Sequence, residues 1–192
     1  MVYCLLLGSP HAHARIKNID VDKALRVPGV IMILTGKDLV NVMDPLPANA
    51  DYRSFGWHWR IPKVYPLATD KVRFMGEPVA AVIAEDPYKA SDALGLIEVE
   101  YEPLPVVIDA VKGMEANSPL LYDEWGDNIQ AHVTFNFGDI DATFSEADRI
   151  IKVSWRERRV SGFPIEPRGC VAWYDGSTDT LNVWSSTQTP LL

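Results

Sequence analysis

The sequence predicts a two-part α+β protein, on three observations. A short, wholly apolar run from Val79 to Ala84 sits between Gly-Glu-Pro and Glu-Asp-Pro. A helical apolar pattern follows it directly, at Ala90, Ala93, Leu94 and Ile97. An interval rich in Gly, Asn, Ser and Pro, residues 109–128, then separates this region from a second one whose apolar residues alternate. A run that short and bounded by turn formers reads as a strand covered on both faces. Spacing of three and four places the next apolar residues on one side of a helix.

In chain order, Val2 to Leu7 reads as a strand, Gly8-Ser-Pro10 as a turn and His13 to Asp20 as a second strand, the two forming an antiparallel pair. Asp20 or Asp22 can cap a short helix carrying Ala24, Leu25 and Val27, which Pro28-Gly29 ends. Val30 to Thr35 is expected to be another buried strand, followed by a single helical turn over Gly36 to Leu39. Residues 41–63 are irregular, with prolines at 45, 47 and 62 and aromatics at Tyr52, Phe55, Trp57 and Trp59. An aromatic loop of this kind is a lid, a contact surface, or a cluster folded back on its own domain.

Pro78 suits the first residue of the central strand, where a missing N–H disturbs pairing least. Asp86 is placed to cap the helix from Pro87 to Val99, with Pro87 in its first turn. Glu98 to Ile108 begins as an alternating strand, and its two prolines put it at an edge. Beyond 128, Ala131, Val133, Phe135 and Phe137 alternate on one strand face. A short helix over Asp139 to Asp148 would turn Ala142, Phe144 and Ala147 inward, and Arg149 to Val160 alternates again. Cys170–Tyr174 and Thr180–Ser185 form a hairpin across Asp175 to Asp179, giving a mixed sheet.

The chain has 192 residues and a net charge of −8, with no local run of lysine and arginine, so a nucleic-acid partner is excluded. No apolar run approaches the roughly 20 residues of a membrane-spanning helix, and the opening residues carry no basic leader. The two cysteines, Cys4 and Cys170, sit in apolar strand-like settings and read as buried free thiols. These features describe a cytoplasmic protein. A chain that opens within a strand and stops just after another, with apolar residues awaiting cover, reads as a piece of something longer.

Residue chemistry alone is sparse. His11 and His13 stand two apart without a third ligand near them in sequence, so a structural role is expected and no metal ligand is assigned. Glu77 and Glu85 bracket opposite ends of one strand, beyond the roughly 5 to 9 Å that paired-carboxylate catalysis uses, and read as solvated strand ends. No glycine-rich phosphate loop, Gly-x-Ser-x-Gly elbow or Cys-x-x-Cys occurs.

Several separated segments together resemble one family. Ser9-Pro-His-Ala-His-Ala-Arg-Ile16, Ile19-Asp20, Pro28-Gly-Val30, Asp38-Leu39, Val72 to Asp86 and Val99-Glu-Tyr-Glu-Pro-Leu-Pro105 resemble the large, molybdenum-binding subunit of the xanthine dehydrogenase, aldehyde oxidase and carbon monoxide dehydrogenase family. The resemblance implies an α/β-hammerhead domain over 1–108, a linker over 109–128 and, over 129–192, the first strands and helix of a molybdopterin-binding domain. The motifs of that last part are Pro164-Ile-Glu-Pro-Arg-Gly169 and Trp184-Ser-Ser-Thr-Gln-Thr-Pro190.

The family hydroxylates an electron-poor carbon of an aldehyde or heterocycle, or oxidises carbon monoxide, with water as the oxygen source. The resemblance implies a molybdenum pterin cofactor, with electrons leaving through iron–sulfur and flavin partners. Gln188 matches the cofactor-contacting glutamine, whose amide N–H can donate to an oxygen at the metal. Glu166 matches a glutamate read as structural, and no residue of this chain is nominated as catalytic. The family's glycine-rich segment and its late general-base glutamate have no counterpart here. Glu-Pro-Arg-Gly is closer to the aldehyde and heterocycle branch.

The expectation is therefore the N-terminal part of a molybdenum hydroxylase large subunit, inactive alone and binding no cofactor by itself. Its partners would be the remaining part of the large subunit, flavin and iron–sulfur subunits, and through an open sheet edge a second copy. A non-catalytic interaction module with a hammerhead fold is the competing reading.

Overall fold

The computed structural model describes residues 1–47, 56–158, 160, 162 and 165–187. The chain forms two compact units, Met1–Asn136 and Phe137–Leu192. The first holds strands Tyr3–Gly8 (β1) and Ala14–Asp20 (β2), helix Asp22–Leu25 (α1), strand Val30–Thr35 (β3) and the helical turn Gly36–Leu39 (α2). It continues with His58–Trp59 (β4), Lys71–Val72 (β5), Pro78–Ala84 (β6), helix Pro87–Leu94 (α3), Glu98–Pro103 (β7), the turn Ala110–Gly113 (α4) and Ala131–His132 (β8). The second holds helix Ile140–Glu146 (α5) and strands Cys170–Asp175 (β9) and Thr180–Ser185 (β10).

The apolar run is β6, and it is central. β1 and β3 pair with its two edges, both antiparallel, giving the order β1-β6-β3. The helix after it lays Ala90 and Ala93 against Ala80, Val82 and Ala84, with Leu5, Leu7, Val30 and Ile33 around them. Small residues on both sides let helix and sheet approach closely, and each fully buried valine such as Val82 contributes about 1.5–3 kcal/mol. Asp86 caps the helix as expected, its carboxylate accepting from the Tyr88 and Lys89 N–H groups. The helix stops at Leu94, short of Val99, and Ile97 reaches the same core from outside it.

The expected β1–β2 pair does not form. β2 lies in a second sheet, ordered β5-β2-β7, with β7 at an edge as its prolines require. The pairing matches composition: β6 is apolar throughout and pairs with the apolar β1, whereas β2 is polar at several positions and suits a sheet wetted on one side. Ser9 N–H donates to Glu77 O and Gly76 N–H to Ser9 O, which turns the chain out of the first sheet. Gly76 has φ +84°, a left-handed conformation that disfavours larger residues. Between the sheets lies a second core of Ala14, Ala68, Val72 and Val79.

Three further expectations change. β3 is covered on one side only, Ile31 and Met32 being half exposed. Cys4 and Cys170 are free thiols, but both are exposed. In the second unit, α5 buries none of its residues, Arg149 to Val160 forms no strand among the described residues, and β9 and β10 pair only with each other. Phe137 and Trp155 are 95% and 88% exposed. Strand pairing and inward-facing helices both need a surface to pack on, and the described residues of this unit do not provide one. Of the Ile129–Phe137 run, only Ala131 and His132 are in a strand, paired with β4.

The interval 109–128, expected as a linker, is held onto the first unit by charged side chains. Lys71 is buried, and its ammonium donates to Leu120 O at 3.3 Å and to the Asp123 carboxylate at 3.2 Å. Arg73 donates to Leu121 O at 3.0 Å and stacks over the Tyr122 ring. Arg60 makes two hydrogen bonds to Asp127, and Asn128 bonds Leu121 N–H, Gly113 O and Pro119 O. The Lys71 hydrogen bond also holds the Asp123 carboxyl below the usual carboxylate range. Lys71→Met keeps the apolar stem and removes the donors, so it is expected to destabilise by about 1–3 kcal/mol. Amide hydrogen exchange over 118–128 should accelerate more than elsewhere; an unchanged pattern there would rule out the clasp.

Trp57 packs edge-on against Phe135, ring centroids 5.4 Å apart, within the first unit. Tyr52 and Phe55 lie outside the described residues.

Candidate functional site

The two motifs of the second region meet at one end of the β9–β10 hairpin. Cys170 pairs with Ser185. Just beyond them Ser186 N–H donates to Gly169 O at 3.2 Å, and Gly169 N–H donates to Ser186 Oγ at 3.1 Å. Gly169, which ends the Glu-Pro-Arg-Gly stretch, is thereby tied to the Ser-Ser-Thr-Gln stretch that follows β10. Glu166 is exposed ahead of β9. Gln188, the one cofactor-binding residue assigned from sequence, lies outside the described residues, as does Pro164. The hairpin turn is closed by local chemistry: the Asp175 carboxylate accepts from Ser177 N–H and Oγ, and Tyr174 donates to Asp179.

The histidine pair is parted. His13 is buried, its Nδ1–H donating to Pro105 O at 2.7 Å, which leaves Nε2 as an acceptor with no hydrogen bond among the described residues. His11 instead packs its ring on Tyr101, centroids 4.8 Å apart. No three His, Cys, Asp or Glu side chains converge on a metal position among the described residues.

Glu77 and Glu85 are not equivalent strand ends. Glu85 is exposed and bonded to Lys89, whereas Glu77 is half buried and accepts from Arg73 N–H. Burial pushes the Glu77 carboxyl up, against the opposing pull of Arg73. A raised carboxylate value means folding disfavours the ionised form. That penalty is absent below the unfolded value of about 4.3 and fully present above the native one. Glu77→Gln should therefore be more stable than the parent at pH 7, the gap closing as the pH falls toward 4. A gap independent of pH would overturn this account.

A molybdenum pterin needs a deep, mostly enclosed pocket. One hollow of the first unit lies between β2, α2 and Ala68-Thr69, with a volume of about 40 Å³, far below the roughly 300–1,000 Å³ of ligand pockets. It carries no ionisable group but Lys37. This hollow does not fit the cofactor.

Residues 1–105 match the family model described as "Aldehyde oxidase and xanthine dehydrogenase, a/b hammerhead domain". The chain belongs to this family. Residues 121–192 match the molybdopterin cofactor-binding domain. Among its relatives, the large subunit of nicotine 6-hydroxylase from Paenarthrobacter nicotinovorans is 35% identical over 98% of this chain and 22% of its own length. The carbon monoxide dehydrogenase large chain of Afipia carboxidovorans is 36% identical over 99% of this chain and 24% of its own. The structure of quinoline 2-oxidoreductase from Pseudomonas putida 86 superposes with a TM-score of 0.84 at 31% identity, covering 97% of this chain and 23% of that one. The chain thus spans about a quarter of the length of these three, and resembles the N-terminal part of such large subunits.

The hammerhead expectation is therefore met. The residues that sequence reasoning missed are Lys71, Arg73, Arg60 and Asn128, which fix 118–128 in place. The signal for two of them was present: Lys71 and Arg73 are cations at alternate positions beside a buried strand, a setting that demands partners.

Proposed function

We propose that this chain supplies the scaffold and one wall of the molybdenum site in the large subunit of a hydroxylase. The complete enzyme would oxidise an aldehyde, a heterocycle or carbon monoxide, with water as the oxygen source. The observation that carries this reading is a hammerhead domain followed by the opening of a cofactor-binding domain, whose described residues are almost all exposed. The cofactor, when bound, supplies the redox chemistry. This chain's part is to orient it through Gln188, two residues after Ser186 in sequence.

On this reading the chain alone holds no cofactor and does not turn over. The partners that complete it are the rest of the large subunit together with flavin and iron–sulfur subunits, in the cytoplasm. Relatives named as subunits of complexes support this, and no helix among the described residues is long and apolar enough to cross a membrane. Elemental mass spectrometry of the purified chain is expected to find substoichiometric molybdenum. Stoichiometric metal together with aldehyde-dependent dye reduction by the chain alone would overturn the proposal.

A further inference from the structure

One face of the β1-β6-β3 sheet is covered by α3; the register assigns the residues of the other. Cys4 is opposite Ile83 and Leu6 opposite Ala81 across β1 and β6, while Met32 is opposite Ile83 and Leu34 opposite Ala81 across β3 and β6. Directly opposed residues share a face, so these six side chains form one surface. None is charged or hydrogen-bonding beyond a thiol. Leu6 is 54% exposed and Met32 45%, and Ile31, in the β3 bulge beside them, is 54%. A sheet finished on one side with Ala90 and Ala93 is left apolar on the other.

We infer that this face is the surface on which the downstream part of the large subunit docks, an inference that rests on the function proposed above. Two observations select that occupant. The relatives carry about three quarters of their length beyond what this chain matches, all within one polypeptide. The face is also uncharged throughout, which is the composition of a permanent interface; exchangeable partners leave more polar contacts. A charged group laid on it would lose its hydration with no counter-charge in return. The chemistry required of the partner is thus apolar and neutral, and a covalently continuous partner meets the face at high effective concentration.

Cys4 is a built-in reporter. The test joins this chain to the rest of the nicotine 6-hydroxylase large subunit, in place of its matched segment, and follows maleimide labelling peptide by peptide by mass spectrometry. Cys4 is expected to label readily in the chain alone and at least about tenfold more slowly in the joined protein. Leu6→Lys should leave the circular dichroism and thermal midpoint of the chain alone unchanged, and abolish recovery of a soluble joined protein. A joined protein that loads molybdenum while Cys4 labels at the free rate would overturn the docking face and leave the proposed function standing. A soluble joined protein that loads no molybdenum would overturn both. Protection of Cys4 in the chain alone, with a dimeric mass that Leu6→Lys returns to monomer, would assign the face to a second copy and overturn the inference.

Discussion

Gly36→Ala is expected to destabilise the first unit by about 3 kcal/mol, lowering its thermal midpoint by on the order of 10 °C. Gly36 opens α2 directly after β3 and is buried. A Cβ there would stand 2.2 Å from Ala68 O, 2.7 Å from Ala68 C and 2.8 Å from Thr69 Cα. These are backbone atoms, so no rotamer change relieves the clash. The Ala68–Thr69 segment would have to withdraw, and Ala68 N–H, which donates to Pro78 O at 2.7 Å, would be pulled off the start of β6. Gly95→Ala is the matched control. Gly95 ends α3 at φ −66°, and a Cβ there meets only Asp92 O, at 3.5 Å. That substitution should stabilise by about 0.4–1 kcal/mol, through the unfolded chain. Denaturant midpoints of opposite sign for the two variants would bear out the packing argument; similar midpoints would refute it.

Gln188→Ala, made in the joined and molybdenum-containing protein, is expected to lower kcat by about 10–100-fold. The residue is assigned from its motif, in which Ser186, two residues earlier, is hydrogen-bonded to Gly169. A neutral amide donor adds no net charge near the metal, so its removal should cost turnover more than metal content. Elemental analysis of the same preparation separates the two effects. Full activity in the alanine variant would end the assignment of Gln188, and lost molybdenum with unchanged activity per metal would make it a retention residue only.

Residue types carried the family motifs of the second region, and there the structure adds one contact of consequence, the junction of Gly169 with Ser186. The clasp on 118–128 was illegible because its acceptors are mostly backbone carbonyls, Leu120 O and Leu121 O, which every residue possesses and no sequence pattern marks. The expected strand over Arg149 to Val160 failed for a different reason. Alternation records which face a strand would bury, and it is silent on whether anything is there to bury it against.

Local composition alone established β6, its opening proline, the Asp86 cap of α3 and the β9–β10 hairpin, since propensity, capping and turn chemistry act over a few neighbouring residues. Which strand lies beside which was settled only in three dimensions. β1 left its sequence neighbour for β6, 70 and more residues away, because a central strand needs a hydrogen-bonded partner along each edge. The bare face of that same sheet is the remaining consequence of that choice.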